Sequence, residues 1–191
     1  MDAAAMFREM NLQEPDRDFA RILLQKWGQK SGRIFMEMNL LQSMFDLGLP
    51  ETDCLRICRE GLARSEDYYR IQAARLLATI NERFPIDDAI LNPLLTDSDV
   101  NVRIHAAKIH WAKHHDAKIA TPILTEALDR QKHESYYYEY NVPVAFETLR
   151  DIGPTARDAI PALEKAANDP NPKIVTLATA ALFKIRQSNP N

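Results

Sequence analysis

Glycine is scarce, at 5 of 191 residues, which leaves little material for a phosphate-cradling loop or a nucleophile elbow, and neither motif occurs. No catalytic-triad spacing is present either. Cysteine is scarcer still: Cys54 and Cys58 are too few for the disulfide framework of a small secreted domain. Four residues apart, they share one face of a helix, a geometry that suits a relaxed disulfide poorly, so they read as small core hydrophobes. A thiolate metal site would need two further ligands. Charge of one sign is also missing. With 24 Lys plus Arg against 27 Asp plus Glu, a formal charge of −3 and a pI near 6.0, no global basic field exists to recruit nucleic acid or anionic lipid. No run approaches the roughly 18 consecutive apolar residues of a membrane span. The opening MDAAAMFREMNLQ carries two acids and one base and lacks the apolar centre of a signal peptide. The expectation is a cytoplasmic chain without membrane contact, or a segment whose address lies elsewhere in a longer protein.

What the chain does contain is 46% hydrophobic residues and 11 prolines, with apolar positions recurring at three and four and no sustained period-two alternation. Helices joined by short turns follow, and the fold class is all-α. A chain of this length can bury about 70% of its unfolded surface, enough for a self-sufficient core. The chain also repeats itself. RIQAARLLATI (70–80) aligned with VRIHAAKIHWA (102–112) puts Ala73 on Ala106 and Ala74 on Ala107. Extending the register gives Leu40, Ala73, Ala106, Ala145 and Ala178, in steps of 33, 33, 39 and 33 residues. The six extra residues fall near QKHESYYYEY, and an insertion in a turn leaves such a stack intact.

Each unit reads as a first helix, a tight polar turn, and the aligned second helix. The turns SED (65–67), DSD (97–99) and DPNP (169–172) offer side-chain oxygens as caps, and Pro170 and Pro172 suit a helix start. Gly48 and Gly153 share a column at the end of the second helix, where a left-handed residue is wanted. The spacing predicts helix pairs at 16–28 with 31–47, 51–64 with 67–83, 86–96 with 99–114, 117–131 with 135–152, and 155–168 with 171–187. One domain is expected over 1–191, with an N-terminal extension at 1–14 and repeats near 16–48, 51–83, 86–114, 117–152 and 155–187.

The stretches IGPTARDAIPALEKAANDPNPKIVTLATAALFKI (152–185) and LLTDSDVNVRIHAAKIHWAK (94–113) resemble bacterial HEAT repeats of the type related to phycobilisome lyase subunits. The resemblance covers about 50–187; the first pair joins it by spacing alone. It implies an α-solenoid, a right-handed superhelix of about five antiparallel helical hairpins, acting as a docking or scaffold module without catalysis. The family's Val-Arg at the second-helix start is kept at Val102-Arg103 and approached at Tyr69-Arg70. It is lost at Asn141-Val142 and Ile174-Val175. Pro143, inside the fourth such helix, removes an amide and predicts a kink or a late start.

Stacked hairpins bury the columns that are apolar in every unit, so the polar columns are left for solvent or a partner. On the second helices these include Tyr68, Gln72, Arg75, Asn101, His105, Lys108, Tyr140, Glu147 and Asp151. The resemblance places such helices on a concave surface. The mixed signs of this stripe suit a protein partner better than a phosphate backbone. All six tyrosines gather at turn ends, and Tyr136 and Tyr137 join Tyr140 as an expected contact patch.

All five histidines lie between 105 and 133. His110 and His114 stand four apart, the spacing by which one helical face offers two imidazoles to a metal. HWAKH lacks a zinc hydrolase's glutamate, however, and His110 falls in a core column, so a structural role is expected and no cofactor is implied. Three other readings stay open. A HEAT-like DNA-binding protein or glycosylase would use Arg70, Arg75, Arg103, Lys108 and Trp111. The chain could also serve as an accessory subunit of a lyase or as a regulatory segment of a larger protein. The oligomeric state is not legible.

Overall fold

The computed structural model describes residues 51–129 and 138–187. The expected first hairpin, Gly48, Tyr136 and Tyr137 lie outside the described residues. Every regular element in the described part is helical. The α-helices are α1 (Glu51–Leu62), α2 (Asp67–Ile80), α3 (Asp88–Leu94), α4 (Val100–His114), α5 (Ala117–Glu126), α6 (Tyr138–Ile152), α7 (Ile160–Ala166) and α8 (Pro172–Arg186). A 3-10 segment, Gly153–Ala159, leads into α7. These spans start and stop within a few residues of those read from the spacing. Pro143 lies inside α6.

The turns explain the starts. Asp97 Oδ1 accepts from Asp99 N at 2.8 Å, and Asp99 Oδ1 accepts from Asn101 N at 2.7 Å. The same double device recurs where Asp169 Oδ1 accepts from Asn171 N at 2.8 Å and Asn171 Oδ1 from Lys173 N at 3.0 Å. Each pair bends the chain and then satisfies an orphan amide of the next helix. Asp87 and Asp116 cap α3 and α5 likewise. The SED turn departs from the expectation: Glu66 stands at the N-cap of α2 without a side-chain bond to a helix amide. There the Arg70 guanidinium reaches back, with Nη1 donating to Ser65 O at 2.8 Å and Nη2 to Asp67 Oδ1 at 2.6 Å. Arg103 acts the same way one repeat later, donating to Asp97 O at 2.7 Å and Ser98 O at 3.2 Å, and to Glu126 Oε1 at 2.9 Å.

The chain divides into two compact units, Met1–Phe84 and Pro85–Asn191. In the first, α1 packs on α2, and Cys54, Cys58, Ile71, Ala73, Ala74, Leu77 and Ile80 are fully buried. Burial, with Cys54 beside it, pushes the Cys58 thiol up to about 12, which fits an inert packing role. In the second, α4, α6 and α8 pack side by side in that order. They lie against α3, α5, α7 and the 3-10 segment. One core runs between these layers, through Ile104, Leu124, Phe146, Leu149, Leu163, Ala178 and Ile185. The aligned alanines Ala145 and Ala178 belong to this core, and Ala106 is likewise fully buried. Small residues there let the helix backbones approach closely, so the repeat register is a packing register.

Gly153 ends α6 with φ +67°, as its column predicted. A Cβ at this position would meet nothing within 4 Å, so a substitution is penalised by backbone conformation alone. Gly153→Ala is expected to cost about 1 kcal/mol. The loss would be read as a lower urea midpoint at unchanged slope, and Gly153→Asn would recover part of it.

Candidate functional site

The second helices of the Pro85–Asn191 unit carry the polar columns, and their exposure separates two kinds. Two and six residues after the aligned alanine, Lys108 is half-buried and Glu147, Ala180, Ala112, Asp151 and Lys184 are exposed. The columns before the alanine behave differently in α4. Asn101 is 1% exposed and His105 2%, which corrects the expectation that both face outward. His105 turns into the interface between α4 and α6, where its Nε2 meets Asn141 Oδ1 at 2.8 Å. A buried polar group with a partner costs far less than one without, so the pair is tolerated inside. In α6 the equivalent face opens again: Tyr140 is 65% exposed and Val144 is half-buried. In the Met1–Phe84 unit, Arg75 is exposed while Tyr68 and Gln72 are half-buried. The Tyr68 ring sits edge-on to Tyr69, with centroids 5.5 Å apart.

Three predicted residues are brought together. Lys108, Glu147 and Asp151 line a groove of about 280 Å³ between α4 and α6, with Trp111, Val144 and Arg150. Trp111 lies three residues after Lys108, one helical step along the same face, and its half-buried ring meets the His115 ring edge-on at 5.1 Å. On α6, Val144, Glu147 and Asp151 form one stripe by the same rule. The hydroxyl of Thr148, a further lining residue, donates to Val144 O at 2.7 Å and so offers the groove little polarity. Arg150 Nη2 pairs with Asp151 Oδ1 at 3.1 Å. Glu147 makes no hydrogen bond or ion pair with a described residue. Arg150, and Trp111 as a docking residue, were not read from the sequence. The i+3 relation to Lys108 was the available signal for Trp111.

Of the two histidines, His114 is committed elsewhere. His114 Nε2 meets Asp88 Oδ1 at 2.9 Å, and the same oxygen accepts from Lys113 Nζ at 2.7 Å. These bonds hold the Asp88 carboxyl below its ordinary 3.8, with the Lys113 bond contributing most. Lys113 also donates to Ile86 O at 2.7 Å, tying the end of α4 to the start of α3. The His110 ring lies tilted against that of His114, with centroids 4.8 Å apart and 46° between the planes. Among the described residues no group of three or more His, Cys, Asp and Glu is gathered as a metal site. Of the five residues named for nucleic-acid contact, Arg70 and Arg103 spend their guanidinium groups on turn carbonyls. No helix of the described residues is long and apolar enough to cross a membrane.

No protein family, no curated protein and no solved structure matches the chain.

Proposed function

We propose that the chain is a non-catalytic HEAT-like helical scaffold that docks a protein partner on its second helices, with the groove between α4 and α6 as the contact centre. The observation that carries this reading is the convergence of Lys108, Glu147 and Asp151 on one groove beside an indole. The residues were singled out because their columns stay polar where neighbouring columns are apolar. A half-buried aromatic beside apolar wall and charged rim is the anatomy of a binding hot spot. In this reading the hairpins stack as a solenoid and the alanine columns set the spacing between repeats.

The test places a photo-crosslinking benzoylphenylalanine at Ala112, an exposed groove position, and at Lys118, exposed on α5, in the native host. A defined adduct is expected from position 112 only, and the double charge reversal Glu147→Arg with Asp151→Arg is expected to abolish it while far-UV circular dichroism stays unchanged. Identical adducts from both positions, or an adduct indifferent to the reversal, would remove the docking reading.

A further inference from the structure

The groove's own chemistry narrows what it holds. Its volume of about 280 Å³ lies at the lower end of the ~300–1,000 Å³ range of ligand sites, a size that one large side chain can fill. Its charges are unequally satisfied. The Arg150 guanidinium is held on Asp151, with Nε at 3.2 Å and Nη2 at 3.1 Å, both to Oδ1. Lys108 already interacts within the fold. Glu147 has no partner among the described residues, and the second oxygen of Asp151 accepts no bond from them. The unspent charge is therefore negative, although the lining cations and anions are equal in number. The two carboxylates stand on one face of α6, four residues apart, or roughly 6 Å along the axis. Val144 on α6 and Trp111 on α4 line the same groove.

We infer that the groove takes an arginine side chain of a partner segment, its guanidinium between Glu147 and Asp151 and its stem across Val144 and the Trp111 ring. The inference rests on the docking reading and gives it a chemistry. Arginine fits better than lysine because a planar fork can address two carboxylates a turn apart and lie flat on an indole. A glutamate-bearing segment would find only cations that are already engaged. An apolar side chain alone would bury against Val144 and Trp111 while stripping water from Glu147 without repayment.

The experiment selects a phage-displayed library of random 12-residue peptides on the full chain, then measures the enriched peptides by fluorescence anisotropy. Arginine beside an apolar residue is expected in the enriched set. Replacing that arginine by citrulline, which keeps the shape and removes the charge, is expected to weaken binding at least about tenfold, as for a charge-assisted hydrogen bond. Glu147→Gln and Asp151→Asn, both exposed conservative changes, should each weaken the arginine peptide and leave the citrulline peptide nearly unaffected. Peptides that need the groove but bind equally with citrulline, or that carry glutamate, would overturn the arginine inference and leave the docking reading standing. An enriched set indifferent to Glu147→Arg and Trp111→Ala, or no enrichment at all, would overturn both.

Discussion

Phe146→Ala is expected to lower the stability of the Pro85–Asn191 unit by about 3–5 kcal/mol, the range for emptying a well-packed aromatic site. Phe146 is 1% exposed and belongs to the central core cluster. It projects from α6, the helix that packs on α4, α5, the 3-10 segment and α8. Neighbours on several elements cannot all collapse into the space it leaves, so the cavity penalty adds to the lost transfer energy. Small domains hold about 5–15 kcal/mol in total, so the variant should sit near the edge of folding at 37 °C. Urea unfolding followed by far-UV circular dichroism measures it. A loss below about 1 kcal/mol would show that the core does not pass through this ring. Phe146→Leu, which keeps most of the volume, should cost less than half as much.

The core was legible because it is periodic. A residue at every shared column that is small or apolar must be inside, and Ala73, Ala106, Ala145 and Ala178 are all fully buried. The caps were legible where the chemistry is local. Asp99 and Asn171 each bond an amide two residues on, and a residue's own neighbours are visible in a sequence. Non-local polar contacts were not. His105 was expected outward because histidine is polar, yet its fate was decided by Asn141, 36 positions away. Nothing in a repeat pattern pairs these two. The roles of Arg70 and Arg103, named only for the alternative nucleic-acid reading, were hidden for a related reason: a second-helix arginine looks like a surface cation until its turn folds back within reach. The groove itself was half legible. Its polar rim follows from column exposure, whereas the inclusion of Trp111 and Arg150 depends on the separation of α4 and α6, which no single helix encodes.

The second large effect concerns His110, which occupies the column filled by Leu77, Leu149 and Leu182 in the other described repeats. It is 7% exposed, and neither ring nitrogen has a hydrogen-bond partner among the described residues. An unpaired buried polar group costs about 1–3 kcal/mol, so His110→Leu is expected to stabilise the unit by at least about that amount. The pH dependence provides an independent check. Burial holds the imidazole below its ordinary 6.5, helped by His114 and Lys113 and opposed by Asp116 and Asp88. With the folded value depressed, the unfolded chain binds the proton more readily. The stability tied to neutral His110 is therefore full above pH 6.5 and lost as pH falls through the folded value. Asp88 is held below 3.8 and titrates outside that window. Urea midpoints of wild type and variant should thus lie further apart at pH 5.5 than at pH 7.5, because the advantage of His110→Leu grows with acid. A variant less stable than wild type, or an advantage that shrinks with acid, would mean that the imidazole is satisfied in the folded protein and that this column tolerates histidine for a reason other than neutrality.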